Sequence, residues 1–162
     1  MAKVILALGS NLGDRPENLR KAVFKLEEKI GSSILSSSMY ETDPVGVADI
    51  PFLNAVVRFN TKIVPEQLLQ TIKSIEREMG RDMNAPRWSN RLIDLDIIIY
   101  GNDRIQDHEL QIPHPEYRDR LFVLIPLQEI DPDYSDPFTQ KSISEMISSA
   151  PQLGIYKTDV KW

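Results

Sequence analysis

Residues 91–100 read RLIDLDIIIY, and this stretch decides the fold of the chain. Alternate side chains of an extended strand point to opposite faces of its sheet. The odd-numbered apolar positions would share one face: Ile93, Leu95, Ile97 and Ile99. The even-numbered positions would share the other face: Asp94, Asp96, Ile98 and Tyr100. The pattern therefore predicts a strand that buries one face and presents two carboxylates on the other.

The segments before this strand predict a ferredoxin-like α+β sandwich. Apolar or alternating runs indicate three further strands, over residues 3–8, 34–40 and 52–63. One helix is predicted after its N-cap Asp14 and ends before Gly31, and a second runs from Pro65 to Gly80. Strand, helix, strand, strand, helix, strand is the order of an antiparallel sheet with helices on one face. We therefore expect the second face of the sheet to be free.

The length of the chain fits one domain. A chain of 162 residues can bury roughly two thirds of the surface that its unfolded form exposes. We expect a single domain over residues 1–162. In this domain a helix near residues 121–130 and the segment 142–148 are interpreted as added C-terminal elements.

Composition excludes several classes of protein. The chain has 19 basic and 24 acidic side chains, a net charge of −5, so no nucleic-acid or membrane partner is expected. It has 0 cysteines, which excludes disulfides, thiolate nucleophiles, zinc ribbons and iron–sulfur clusters. No apolar run approaches the ~18 residues of a membrane span, and the opening run is too short for a signal peptide. We therefore expect a cytoplasmic protein, and a monomer.

The paired carboxylates Asp94 and Asp96 are candidate metal ligands. On one strand face their Cα atoms would lie about 6.6 Å apart, so their side chains can converge on a common ion. Oxygen ligands favour Mg²⁺ or Mn²⁺, and Mg²⁺ typically binds one or two carboxylates together with substrate phosphates. The alternative is a solvated face of an edge strand, where paired charges also prevent aggregation.

The loop before the strand is a candidate phosphate-binding segment. It carries Arg81, Arg87 and Arg91 in an acidic chain, with Trp88 among them. Arginine suits phosphate because its planar group donates two parallel hydrogen bonds. We expect this loop to close over substrate phosphates and carry Trp88 inward. The alternative is an exposed basic turn.

Other side chains complete a candidate site. His114 lies between two prolines, and with Arg120 it could extend a cationic wall. Glu76 lies on the flank of an apolar helix stripe and needs a cationic partner, a ligand or water. Phe52, Asn54 and Phe122 could hold a flat heterocycle between aromatic rings, with the amide binding its edge. For these aromatic residues a place in the core is the alternative.

Together these motifs resemble the 6-hydroxymethyl-7,8-dihydropterin pyrophosphokinase family over nearly the whole chain. The segments that carry the resemblance are ALGSNLG at 7–13, YETDPVG at 40–46, FLNA at 52–55, GR at 80–81, RW at 87–88, RLIDLDII at 91–98 and IPHP at 112–115, followed by Arg120. The resemblance implies a ferredoxin-like fold that transfers pyrophosphate from ATP to the pterin hydroxymethyl group and releases AMP.

The resemblance also assigns roles to single residues. Asp94 and Asp96 match magnesium-binding positions for two expected ions, and with Arg81 and Arg91 they match the catalytic positions. Pterin-binding positions are matched by Thr42, Pro44, Val45, Phe52, Asn54 and Phe122. ATP-binding positions are matched by Glu76, Arg87, Trp88, Arg91, Ile97, His114 and Arg120.

The chain departs from the family pattern at three places. Ser89 and Asn90 stand where the family has Gly-Pro or Gly-Ala, residues 82–84 make the loop less basic, and Glu116 replaces a residue that is basic in many members. Other functions stay open at this point. A metal-dependent nuclease or phosphatase would also use paired aspartates, and a sensor or inactive relative would keep the pocket without turnover.

Overall fold

The computed structural model describes residues 1–44, 48–80, 84 and 90–162. Its central sheet contains the strands β1 (Ala2–Ser10), β2 (Ser33–Ser36), β3 (Tyr40–Thr42), β4 (Phe52–Thr61), β5 (Asp94–Tyr100) and β8 (Ile155–Lys157). The strand order is β5-β1-β4-β3-β8, β2 also pairs with β4, and neighbouring strands run antiparallel. A separate hairpin pairs β6 (Ile105–Gln106) with β7 (Gln111–Ile112). The predicted α+β class with an antiparallel sheet is confirmed.

Two helices cover the first face of the sheet, as predicted. They are α1 (Arg15–Ile30) and α2 (Pro65–Glu78). Asp14 caps α1, because its side chain accepts a hydrogen bond from the backbone of Glu17 at 3.2 Å. The apolar stripes of both helices join the inward side chains of β1, β4 and β5 in one core that includes Leu6, Phe59 and Leu95.

The second face is covered at one end, so the expectation that it is free is wrong there. The covering helices are α3 (Leu121–Ile130) and α4 (Ile143–Ser149), preceded by a 3-10 turn at Tyr117–Asp119. They bury Ile5, Val56 and Ile98 in a second core. The physical reason is that α3 is apolar over almost its whole length and needs an apolar partner.

The strand predicted over residues 34–40 is instead two strands, β2 and β3. At the break, the hydroxyl of Ser37 accepts the hydrogen bond from the backbone of Val56 at 3.0 Å. The carbonyl of Ser37 accepts from the Trp162 indole at 2.7 Å. The Ser37 hydroxyl thus replaces the Ser37 carbonyl as the acceptor from Val56. The carbonyl accepts a hydrogen bond from Trp162 instead.

A bulge in β5 alters the predicted alternation. Ile5 pairs with Ile99 and Leu6 pairs with Ile97, so Ile98 is an extra residue. Beyond the bulge Ile99 packs in the second core and Tyr100 in the first. The faces predicted for Ile99 and Tyr100 are therefore wrong. Asp94 and Asp96 precede the bulge, so it does not change the face that they share.

None of the helices in the described ranges has the length and apolar character needed to cross a membrane.

Candidate active site

The uncovered end of the second sheet face is a cleft whose floor is β1. Gly9 pairs with Asn54 of β4 on one side and with Asp94 of β5 on the other. A Cβ at Gly9 would lie 3.0 Å from the Asn54 Oδ1 atom and 3.5 Å from the Phe52 ring. Because Gly9 has no side chain, the cleft stays open above β1 between the Asn54 amide and the Asp94 carboxylate. In the sequence, Gly9 stands out only as part of the family segment at 7–13.

One wall of the cleft is aromatic and amide-bearing. Phe52 of β4 and Phe122 of α3 line it together with Thr42 and Asn54. The Asn54 amide donates a hydrogen bond to the Thr42 hydroxyl at 2.7 Å, and both side chains are buried. This bond fixes the amide plane, so the Asn54 oxygen faces the floor at Gly9. Such a wall can hold a flat ring and bind its polar edge.

The opposite wall carries the two carboxylates, each beside an arginine. The Arg91 guanidinium donates to Asp94 at 3.1 Å, and its side chain is 13% exposed. Arg120 lies 3.8 Å from Asp96, pairs with Glu116, and places its guanidinium 5.5 Å from the Phe122 ring centre. The arginines offset the repulsion between the carboxylates and supply cationic groups beside them.

The oxygen donors fit a magnesium ion that takes its other ligands from a substrate and from water. Within the described part of the chain, no group of at least three His, Cys, Asp or Glu side chains could hold a metal. Asp94 and Asp96 line the same cleft and provide oxygen donors. A Mg²⁺ ion commonly keeps several waters and binds one or two carboxylates plus phosphates.

A second cavity meets the first at Asp96, which lines both. Its apolar base comes from α2 and β5 and includes Ile72, Leu95 and Ile97. The backbone of His114 donates to the Ile98 carbonyl at 2.9 Å, which fixes the loop that brings His114 to the cavity. His108 also lines it. The pattern offers no signal for His108, because only the β6–β7 hairpin brings it there.

Glu76 is buried beside this second cavity. It is 3% exposed, and its carboxylate accepts a hydrogen bond from the Leu95 backbone at 3.1 Å. The sequence suggested a cationic partner, a ligand or water for this group. The observed hydrogen bond ties α2 to the outer edge of β5 at the residue between the two aspartates.

Asn11 is a site residue that sequence reasoning missed. It is buried, and its side chain donates to the Ile50 carbonyl at 3.0 Å and to Asn90 at 2.8 Å. Its backbone donates to the Arg91 carbonyl at 2.9 Å. Asn90 in turn donates to Asp49 at 2.6 Å. Asn90, which departs from the family pattern, therefore links the turn after β1 to the chain before β4. Asn11 in the same turn holds the backbone of Arg91.

A buried polar network supports the turn between His114 and Arg120. The Tyr117 hydroxyl donates to Asp136 and lies 2.9 Å from the Tyr134 hydroxyl, and Arg118 pairs with Asp136. Burial alone would raise the pKa of Asp136, but hydrogen bonds from Arg118, Tyr117 and two backbone amides outweigh it and lower that pKa to about 2. Burial and the Asp136 carboxylate raise the pKa of Tyr117 far above its ordinary value.

The structure brings most of the predicted residues to the two cavities. The first cavity is lined by Thr42, Phe52, Asn54, Arg91, Asp94, Asp96 and Phe122. The second is lined by Asp96, Ile97 and His114. Arg120 lies beside Asp96, and Glu76 contacts the backbone of β5. Pro44 is exposed and is not among the described residues that line the first cavity. Four predicted residues, and with them most of the predicted closing loop, lie outside the described residues: Val45, Arg81, Arg87 and Trp88.

Comparison with known proteins matches this chain to one family. The model of the family described as 7,8-dihydro-6-hydroxymethylpterin-pyrophosphokinase (HPPK) matches residues 5–132. A Bacillus subtilis protein named 2-amino-4-hydroxy-6-hydroxymethyldihydropteridine pyrophosphokinase is 45% identical over 127 residues, 77% of this chain and 75% of that protein. An Arabidopsis thaliana folate synthesis bifunctional protein is 45% identical over 130 residues, 79% of this chain. The match covers only 27% of the Arabidopsis protein.

The fold is also found in solved structures. A crystal structure of Plasmodium falciparum HPPK-DHPS superposes with a TM-score of 0.72 and 18% sequence identity. The superposition covers 91% of this chain and 44% of that one. At this identity the likeness shows the fold alone.

Proposed function

The chain belongs to the 7,8-dihydro-6-hydroxymethylpterin-pyrophosphokinase family, and from this premise we propose that it transfers pyrophosphate from ATP to 6-hydroxymethyl-7,8-dihydropterin, releasing AMP. The observation that carries the proposal is the position of Asp96, which lines both an aromatic, amide-bearing cleft and a second cavity. Two substrates bound on either side of Asp96 would meet where the carboxylates and arginines lie. The 162 residues would form a single pyrophosphokinase domain that acts as a monomer.

The first cavity would bind the pterin. Its ring would stack between Phe52 and Phe122, and Asn54 would bind its polar edge beside Thr42. A buried amide that is already held by one hydrogen bond is a rigid partner, because it need not reorganise on binding. The low floor at Gly9 leaves space for the ring and directs its substituent toward β5.

The second cavity would bind the nucleotide. Its apolar base suits a purine ring, and Ile97 and His114 would contact it. Arg91 and Arg120 would lie near the phosphates, because each already accompanies one of the carboxylates. Arg81, Arg87 and Trp88 are proposed to cover the phosphates, on the strength of the family resemblance of their segment.

Asp94 and Asp96 would hold Mg²⁺, for which we propose two ions, and the bound metal would neutralise charge on the triphosphate. In the transfer, the hydroxymethyl oxygen forms a bond to the β-phosphorus while the bond from that phosphorus to the α,β-bridging oxygen breaks. The chain's own residues mainly position the two substrates, which is the dominant contribution in phosphoryl transfer. Asp96 is the proposed acceptor of the hydroxyl proton, since it borders both cavities.

The test is a product assay with purified protein, MgATP and 6-hydroxymethyl-7,8-dihydropterin. We expect equimolar AMP and pterin diphosphate, and no AMP when the pterin or the metal is omitted. ADP as the product would indicate transfer of a single phosphoryl group. Release of phosphate without pterin would indicate a phosphohydrolase, and binding of both substrates without any product would indicate an inactive relative.

A further inference from the structure

The C-terminal strand β8 borders the aromatic cleft through a close contact between Gly154 and Asp43. Asp43 follows β3 and lines the cleft next to Thr42. Its backbone donates to the Gly154 carbonyl at 3.0 Å, which continues the β3–β8 ladder past the pair formed by Thr42 and Ile155. The edge of the cleft is therefore held by a segment outside residues 5–132, the part that the family model matches.

Gly154 leaves space for the exposed side chain of Asp43, and its backbone conformation does not require glycine. Its φ angle lies outside the left-handed region that favours glycine. A Cβ at this position would overlap the Asp43 carboxylate, lying 2.7 Å from its Cγ atom, and would come within 3.0 Å of the Tyr156 hydroxyl. Real Cβ atoms do not approach other atoms so closely, so any side chain at 154 must displace the carboxylate of Asp43.

We propose that Gly154 is a positioning residue for the pterin side of the site. By leaving space for the Asp43 carboxylate it sets where that carboxylate lies in the cleft, beside Thr42, the partner that fixes the Asn54 amide. Displacement of Asp43 in either direction changes the cleft, because Asp43 is one of its lining residues. This inference rests on the proposed function, since it takes the dihydropterin as the ligand of the cleft.

The same contact is independent of the nucleotide side. Residues that line the second cavity come from α2, from β5 and from segment 108–115. A change at Gly154 should therefore affect the two substrates differently. It should weaken pterin binding and leave ATP binding unchanged. A general loss of stability would weaken both.

The experiment is a double-mutant cycle with Gly154→Ala, Asp43→Ala and the double variant. Calorimetric titration measures 6-hydroxymethylpterin binding in the presence of Mg²⁺ and a non-hydrolysable ATP analogue, and analogue binding is titrated separately. We expect Gly154→Ala to raise the Kd for the pterin severalfold, because the Asp43 carboxylate that it displaces lines the cleft. The Kd for the analogue should stay unchanged. The double variant should bind pterin as Asp43→Ala does, because the methyl group then meets no carboxylate.

Three outcomes would overturn the inference. Gly154→Ala with wild-type pterin affinity would show that the contact is not needed. Equal losses for both ligands, or a double variant that adds the two single losses, would show general damage. Absence of pterin binding to the wild-type protein would overturn the proposed function itself, and this result is distinguishable because it appears before any substitution is made.

Discussion

The two ends of the second sheet face are built from the same three strands and differ in what covers them. At one end Ile5, Val56 and Ile98 lie under α3 and α4 in a dry core. At the other end the same strands present Gly9, Asn54 and Asp94 to an open cleft. The pairing of β1 with β4 continues unbroken from one end to the other, whereas the pairing of β1 with β5 is interrupted by the bulge at Ile98. The comparison teaches that a site can arise where a covering helix begins, if the strands change from apolar to small and polar residues at that point.

The start of α3 marks the boundary between the two ends. Leu121 is buried in the second core, whereas the next residue, Phe122, lines the cleft. Arg120, just before the helix, reaches Asp96. Three consecutive residues thus serve the core, the aromatic wall and the carboxylate wall. The following predictions test whether the two ends are as separate as this arrangement suggests.

The largest effect is expected from the carboxylates of the cleft. Asp94→Asn and Asp96→Asn should each lower turnover by about a thousandfold at saturating Mg²⁺, because each removes a charge that would hold the metal and phosphates. Stability should be nearly unchanged, since both side chains belong to neither core. Steady-state kinetics and thermal unfolding measure the two effects.

A matched control exists at the covered end of the molecule. Asp131 also pairs with a cation, Lys3, at 3.3 Å, and its side chain is 28% exposed. Asp131→Asn should keep normal turnover. If the cleft variants keep near-normal rates, the metal-binding role of Asp94 and Asp96 is wrong.

The next effect is expected from the covered end. Ile98→Ala should lower the free energy of unfolding by about 3 kcal/mol, because it leaves a cavity in the second core. The turnover of folded molecules should be retained. Urea denaturation measures the first quantity, and kinetics well below the unfolding temperature measures the second. Ile34→Ala is the control, since Ile34 is 44% exposed and its loss should change stability little.

A selective loss of activity in Ile98→Ala, with unchanged stability, would contradict the division of the face. It would show that the bulge in β5 serves the site directly. The same two measurements therefore decide whether the ends are independent.

The acid stability of the covering elements depends on Asp136. The folded pKa of about 2 lies below the ordinary value of 3.8. A lowered carboxylate pKa stabilises the fold at pH values above 3.8, and this contribution is lost as the pH falls toward 2. Asp136→Asn should therefore cost about 2 kcal/mol near neutral pH, and the difference from the parent should shrink between pH 4 and pH 2.

Urea denaturation of parent and variant at a series of pH values measures this difference. Comparing the two proteins removes the contribution of the other carboxylates, which both share. A difference that stays constant down to pH 2 would show that Asp136 is not the group responsible.

The smallest effect is expected from the aromatic wall. Phe52→Ala and Asn54→Ala should each raise the Kd for pterin about tenfold, from lost stacking in one case and unpaired polar groups in the other. The Kd for ATP should change little. Phe24→Ala is the control, because Phe24 is 61% exposed on α1, outside the cleft. Equal losses for both substrates would indicate damage to the core instead.

Much of the fold follows from local pattern. The bounds of α1 and α2, the strands β1 and β4, and the shared face of Asp94 and Asp96 follow from periodicity and capping residues, because these signals act over neighbouring positions. The break at Ser37 and the bulge at Ile98 escaped prediction. Each depends on a partner distant in sequence, Val56 and Trp162 in one case and β1 in the other.

The candidate site divides in the same way. The sequence by itself determined the chemistry: two carboxylates on one strand face, arginines before and after them, and an amide between phenylalanines. Only the tertiary structure decided that Gly9 forms the floor, that Asn11 holds Arg91, that His108 lines the second cavity and that Gly154 contacts Asp43. The physical reason is the distance along the chain over which each signal acts. Residue type and spacing fix which face a side chain occupies, whereas the neighbours of that side chain depend on strand pairing and on where α3 comes to cover the sheet.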